Sequence, residues 1–542
     1  MARFGWQAVC ELEDILPDTG VCASVDGRQI ALFRVDGAVH AIDNCDPASG
    51  AHVLSRGIVG DLGGELVVAS PLYKHHYSLT TGRCLEEPAY AVRTHPCRLL
   101  DGKVWLRSTA AVRDPAARAA AGSAAGAACA TGAAGAATPK RRLVVIGNGM
   151  AGMRTVEELL AMAPDLYDIE IFGAEPFANY NRILLSPVLS GEKRAEEIQL
   201  HPLDWYAERS IRLHLGDAVA DIDRVRRRVR SQSGRSVTYD RLLIATGSNP
   251  IVLPIPGHDL PGVVSFRDLQ DVDAMLRAAR EHGRAAVIGG GLLGLEAAHG
   301  LSSQGMEVTV VHRTESLMER QLDAVAAGLL QRSLEKRGIE FKLAANTEAI
   351  LGDSRVTALR LADGSVLPTD LVVMAVGIRP NIALAAQAGL RCERGILVDD
   401  TLLTFDPSIY AVGECVQHRE ATYGLVAPLW EQARVCATHL AELGVSRYRG
   451  SLTATNLKVT GIQVFSAGNW RASPRSESLI LHDTQLGIYK HLILENDRVQ
   501  GAVLYGDTRD GPWYAELMGQ ERPIGPMREQ LLFGRDFAEP PA

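Results

Sequence analysis

The chain has 542 residues, 46% hydrophobic and 22% charged, enough for about three or four domains with separate cores. A net charge of -8 and a pI near 6.0 argue against a nucleic-acid binder, since no basic block offers a footprint for a phosphate backbone. No apolar run reaches the roughly 18 residues of a membrane span, Met1 to Glu13 lacks a signal-peptide pattern, and nine cysteines without a Cys-x-x-Cys pair point to reduced thiols in a cytoplasmic protein.

Residues 1–107 read as all-β. Short strands are predicted at Ile30–Val35, Ala38–Ile42, Leu66–Ala69 and Lys103–Leu106, punctuated by Asp-Gly and Gly-Gly turns. The segments Asp43–Ala51 and Ser70–Cys84 resemble the two loops of a Rieske domain, which holds a 2Fe-2S cluster through Cys-x-His and Cys-x-x-His. Aligned on Gly50 and on Tyr77 to Gly82, the ligand positions carry Asp46, Ala48, Ser70 and Tyr73, and none of these supplies the required Cys or His. Cys45, His75 and His76 stand nearby at the wrong spacing. No 2Fe-2S cluster and no metal site is therefore expected, and the module resembles the small subunit of assimilatory NAD(P)H-nitrite reductase, a match that Val53–Asp61 shares.

Residues 108–139 consist mainly of Ala, Gly, Ser and Thr, and Gly122, Gly126, Gly132 and Gly135 break every candidate helix. This predicts a flexible tether, in which Cys129 has no assigned role.

Beyond it lies the stretch around which the chain is organised. Leu143–Ile146 is a short, β-branched apolar run, predicted as a buried parallel strand. Gly147, Gly149 and Gly152 follow as G-x-G-x-x-G, enclosing Met150 and Ala151, and a helix is predicted over Met153–Ala163. The first glycine serves a tight turn, the second admits a pyrophosphate, and the third lets helix and strand approach. The helix N-terminus adds free N–H groups and partial positive charge. A second strand, Tyr167–Phe172, leads to Glu175, either a ribose-binding acid or a solvated loop carboxylate.

No cysteine occurs between Cys129 and Cys392. The glutathione-reductase-like flavoenzymes that relay electrons through a disulfide carry C-x4-C on the helix after the fingerprint, so that relay is excluded. Tyr180, Asn181 and Arg182 resemble a segment that lies near the flavin, and Ala245-Thr246-Gly247 resembles the signature closing the first half of a two-dinucleotide flavoprotein.

A second unit repeats the first about 140 residues on. Strand Arg284–Ile288 enters Gly289-Gly290-Gly291-Leu292-Leu293-Gly294, followed by a helix predicted over Leu295–Gln304. After strand Val308–Val311 the acid position is held by His312, with Arg313 next. Arg313 either meets the 2′-phosphate of NADPH or is a solvated strand-end residue. Glu296 matches a residue lying near the nicotinamide in related reductases; the alternative is a carboxylate favoured by the helix N-terminus.

Strand Asp370–Ala375 with Gly377 closes this unit, and Gly413-Glu414 stands where related flavoproteins present Gly-Asp to the ribityl chain. Cys415 beside it reads as a packed thiol. A helix opening after Thr422, with Leu425 and Val426 at its start, would face the flavin pyrimidine. Strands are predicted at Leu479–Leu481, Gly487–Leu494 and Val499–Tyr505, and Thr455–Phe465 resembles the small C-terminal domain of rubredoxin-reductase-like flavoproteins. Lys458 there either approaches the flavin or snorkels at the surface.

From Lys140 to about Gly534 the chain resembles the flavoprotein half of the NAD(P)H-nitrite reductase large subunit. The implied architecture is multidomain: an all-β Rieske-like domain (1–107), a linker (108–139), an α/β glutathione-reductase-like flavoprotein with FAD-binding parts (140–262 and 381–446) around an NAD(P)H-binding domain (263–380), and a small α+β domain (447–542). The implied cofactors are FAD and NADH, with NADPH as an alternative. The implied partner is a separate iron–sulfur, sirohaem or molybdenum reductase subunit of nitrite or nitrate assimilation, and a homodimer is compatible. A ferredoxin or rubredoxin reductase of another pathway, or a non-catalytic flavoprotein sensor, are the competing readings.

Overall fold

The computed structural model describes residues 6–25, 28–49, 51–71, 73–107, 140–444, 446–459, 461–471 and 473–539. The tether expected at 108–139, with Cys129, lies outside them, as does the side chain of Lys458.

Five parallel strands form the first sheet in the order Arg212–His214, Tyr167–Phe172, Arg141–Ile146, Arg241–Ile244, Ile409–Ala411. Leu143, Val144 and Val145 are wholly buried, as a central strand covered on both faces requires. Helix Met150–Met162 returns across the sheet and packs on helix Val426–Leu440. A small antiparallel sheet, Val219–Asp223, Arg228–Ser231 and Ser236–Thr238, lies in the chain between the third and fourth strands of this unit.

The second sheet repeats the plan: Ile339–Lys342, Glu307–Val311, Arg284–Ile288, Leu371–Met374, Val263–Ser265, again all parallel. Its insertion is also a three-stranded antiparallel sheet, Thr347–Leu351, Ala358–Leu361 and Val366–Pro368. Such sheets place their ligands at the carboxyl ends of the strands, where the order reverses. Both fingerprints sit there.

The last sheet is antiparallel, ordered Ala454–Val459, Ile462–Gly468, Arg498–Tyr505, Ile488–Glu495, Glu477–Asp483. It shares a hydrophobic core with the second unit, because Ile462, Val464, Tyr489, Val503 and Tyr505 pack with Leu330 and Leu334. Residues 6–107 form small antiparallel sheets around two cores of their own. Among the described residues no core cluster joins them to the rest.

The predicted strands Tyr167–Phe172 and Arg284–Ile288 have those bounds. The two fingerprint helices begin earlier than expected, at Met150 and Leu292, because Gly152 and Gly294 lie inside the first turn and are packed there. Among the described residues seven cysteines are free thiols. Cys45 is disulfide-bonded, a departure from the reduced set expected.

Candidate dinucleotide sites

The three glycines of each fingerprint are required for different reasons. A Cβ on Gly147 (φ +114°) would meet the Ala245 carbonyl at 2.2 Å, and one on Gly152 would meet the Gly147 carbonyl at 2.8 Å. At Gly149 it would point into open space. The pattern recurs at Gly289 (2.3 Å from the Ala375 carbonyl), Gly294 (1.9 Å from the Gly289 carbonyl) and Gly291 (open). Turn and packing explain the outer glycines; only the approach of something external explains the middle one. Both helices start at these middle glycines without a side-chain cap, so their first N–H groups remain for a pyrophosphate.

In front of the first fingerprint lies a cavity of about 510 Å³. Gly147, Gly149, Met150, Ala151, Glu175, Arg182, Thr246, Gly247, Gly413, Glu414 and Val426 all line it. Gly152, Asn181, Gly377 and Leu425 do not: Asn181 caps the turn Arg182–Leu184 by accepting from the Ile183 N–H at 3.1 Å, and Leu425 is the residue before helix Val426–Leu440. The Nδ2 of Asn148, between the two glycines, is buried without a partner among the described residues, although its Oδ1 accepts from Tyr206 at 2.9 Å. An orphaned donor in the wall of this cavity is what an absent acceptor leaves behind. Cavity, open glycine, free helix end and orphaned amide together fit FAD.

The cavity's charges are paired across elements. The Tyr180 hydroxyl donates to Glu175 at 2.6 Å, and Arg182 bonds Glu175 and donates to the Arg267 carbonyl at 2.9 Å. Glu414 accepts from Ser248 at 2.7 Å and from Arg267 at 2.5 Å. Burial, reinforced by Asp268, raises the pKa of Asp271 on the same wall. Arg267, Ser248 and Asp271 carry no motif and escape a reading of the sequence; the helix-start pattern Asp268…Asp271 was the available signal. Cys415 is fully buried and burial pushes its thiol up to about 11, so it is a packed thiol.

In the second unit His312 is buried behind the loop, where its Nδ1 accepts from the Gly290 N–H at 3.0 Å. Its Nε2 faces Thr314 at 2.7 Å and Glu319 at 3.2 Å. It supports the phosphate loop from beneath. Arg313 is exposed and makes no hydrogen bond or ion pair among the described residues. Leu292 and Leu293 form the uncapped first turn. Glu296, one turn on, accepts from the Ser186 hydroxyl at 2.8 Å, and desolvation pushes its carboxyl up to about 7.

In the N-terminal module Asp46, one of the four residues at the aligned Rieske positions, is a hydrogen-bonded carboxylate. Asp46, wholly buried, accepts from the Ala48 N–H at 3.0 Å and from the hydroxyls of Ser49, Ser70 and Tyr77 at 3.0, 2.7 and 2.7 Å. Burial acts to raise its pKa, but the hydrogen bonds prevail and hold the carboxyl below its usual range. One side chain thus ties together the loops that a cluster would join. His76 pairs with Glu86 at 2.5 Å, and His75 packs between the rings of Tyr73 and Tyr90.

A duplicated parallel-sheet unit with two phosphate loops, one of them facing a flavin-sized cavity, defines an oxidoreductase that works on bound dinucleotides. The chain belongs to the pyridine nucleotide-disulphide oxidoreductase family, which matches residues 141–437. Residues 5–107 match the Rieske-like 2Fe-2S domain, and 454–522 match the rubredoxin NAD+ reductase C-terminal domain. The chain is 50% identical over 385 residues to the Bacillus subtilis (strain 168) protein named nitrite reductase NAD(P)H, covering 71% of this chain and 48% of that one. It is 44% identical over 393 residues to the assimilatory nitrate reductase electron transfer subunit of the same organism, covering 72% and 51%. It therefore spans about half the length of the curated relatives it matches. Among solved structures, the covalent putidaredoxin reductase–putidaredoxin complex is similar, with a TM-score of 0.65 and 26% identity over 71% of this chain and 94% of that one. Among the described residues no helix is long and apolar enough to cross a membrane.

Proposed function

We propose that the chain oxidises NAD(P)H through a bound FAD and delivers the electrons to a separate nitrite or nitrate reductase in the cytoplasm. The observation that carries this reading is the pair of open middle glycines at uncapped helix starts, one for each dinucleotide, in a chain half identical to a nitrite reductase over 385 residues. When bound, the flavin supplies a centre that takes two electrons as hydride from the nicotinamide and releases them singly.

The chain's own residues bind and orient. The first turns at Met150 and Leu292 would hold the two pyrophosphates, Glu175 would accept from a ribose hydroxyl, and Glu414 would hold the ribityl chain. The N-terminus of helix Val426–Leu440 stabilises negative charge at the flavin pyrimidine. Glu296, poised between charged and neutral, gives or takes a proton beside the second loop. His312 positions that loop, and Arg313 is free to meet a 2′-phosphate.

The domain order proposed is 1–107, 108–139, 140–262 with 381–446, 263–380 and 447–542. The N-terminal module is proposed to hold no 2Fe-2S cluster, because Asp46, Ala48, Ser70 and Tyr73 fill the ligand positions. The likeness to putidaredoxin reductase supports a second reading, in which the acceptor is a ferredoxin. The test is anaerobic titration of the purified full chain with NADH and NADPH. One flavin per chain, bleached by nicotinamide and reoxidised by ferricyanide, is expected; a colourless protein, or a flavin that neither nucleotide reduces, refutes the proposal.

A further inference from the structure

We propose that the seam between residues 6–107 and the first dinucleotide-binding unit is a binding site for a small dianion carrying phosphate or two carboxylates. A cavity of about 510 Å³ lies there, within the range of small-molecule sites. Arg56 comes from the N-terminal module; Arg141, Arg241, Tyr410, His439 and Glu442 come from the other side.

Its charge is unbalanced. Three guanidiniums face it and Glu442 is the single carboxylate lining it, which leaves two positive charges in excess. Glu442 is committed to Arg141. The Arg241 guanidinium reaches only its neighbour's Asp240 carbonyl, at 3.0 Å, and the Arg56 guanidinium has no hydrogen bond or ion pair among the described residues. The Tyr410 hydroxyl is likewise without a hydrogen bond among them, and burial lowers the pKa of His439, which therefore adds no charge near pH 7. Two unpaired guanidiniums with a nearby hydroxyl form a bidentate-capable cradle for an oxyanion, and the cavity leaves room for an organic body behind it.

Its place separates it from the dinucleotides. Arg141 and Arg241 begin adjacent central strands, Arg141–Ile146 and Arg241–Ile244, whose opposite ends carry Gly147 and Thr246 of the flavin cavity. Six residues of strand span roughly 20 Å. A ligand in the seam would touch both parts of a chain that share no hydrophobic core, and would lock them together.

The test is calorimetric titration of the full-chain flavoprotein with inorganic phosphate, ribose 5-phosphate and succinate at matched ionic strength. Ribose 5-phosphate or succinate should bind at a single saturable site, more tightly than inorganic phosphate. Preference for ribose 5-phosphate would identify a phosphomonoester, and preference for succinate a dicarboxylate. R56Q and R241Q should each weaken that binding about tenfold or more, whereas E442Q should leave it unchanged or tighten it. Because the Arg56 guanidinium has no partner among the described residues, R56Q should keep its flavin and its thermal midpoint. Absence of saturable binding with all three probes, binding that both arginine variants retain within about threefold, or inorganic phosphate binding as tightly as either organic probe would overturn the proposal.

Discussion

Replacing Glu296 with Gln separates its proton from its shape. The native carboxyl is held at about 7 against 4.5 in the unfolded chain, so folding prefers its protonated form. Stability from this group is fully present below 4.5 and is lost as pH rises through about 7. The linkage relation then gives a loss of about 2.5 kcal/mol between roughly pH 5 and pH 8. Water reaching the half-buried side chain lowers this to about 1–2.5 kcal/mol. Urea denaturation of wild type and Glu296→Gln across that range isolates the term, since every other titrating group is common to both. The wild type should lose stability relative to the variant as pH rises, and the pH dependence of NADH-to-ferricyanide kcat near neutrality should flatten in the variant. A difference in stability between the two proteins that does not change with pH would refute the reasoning.

Gly149→Ala should fold normally, because its Cβ enters open space, yet retain flavin at least about tenfold more weakly, read from bound-flavin absorbance. Gly294→Ala forces a Cβ to 1.9 Å from the Gly289 carbonyl; it should cost about 1–3 kcal/mol and abolish NAD(P)H oxidation while flavin stays bound. If Arg313 meets a 2′-phosphate, Arg313→Ala should lower kcat/KM for NADPH by about ten- to a hundred-fold with NADH nearly unchanged. The wild type should use both nucleotides with a lean to NADH, and a preference above about a thousand-fold for either would refute that. Asp46→Ala, by removing the acceptor shared by the hydroxyls of Ser49, Ser70 and Tyr77, should destabilise the N-terminal module by about 2–4 kcal/mol in urea denaturation. Since the Asp46 pKa is depressed, its contribution is present above 3.8 and lost as pH falls through the native value. Stoichiometric iron with a Rieske-type paramagnetic signal would contradict the cluster-free proposal.

Both glycine loops were legible because their signal is steric and local: glycine is demanded where carbonyls stand closer than a Cβ allows. The buried central strands were legible from unbroken apolar runs. Helix starts were misjudged because propensity penalises a glycine that packing requires, so Gly152 and Gly294 were read as lying before their helices rather than within them. Strands Trp6–Glu11 and Thr19–Val25 were missed, being mixed in polarity and marked by no turn pair before them. The ion pair of Glu414 with Arg267 was invisible for another reason: the partners lie 147 residues apart, and nothing short of the folded sheet brings them together. The same holds for Asp46. Its place in the sequence carries no sign of the hydroxyls that the folded loops bring to it.

The separate cores of residues 6–107 and of the remainder have a historical meaning. A domain that shares buried side chains with its neighbour can be gained or lost only if many positions change together. A domain joined across a polar seam can be acquired in one genetic event, with the host's interior untouched. The C-terminal sheet, interlocked with the second unit through Ile462 and Tyr489, has no such freedom. On heating, this separation should be visible as two calorimetric transitions: one for residues 6–107, and one for the remainder and its C-terminal sheet unfolding as a single body.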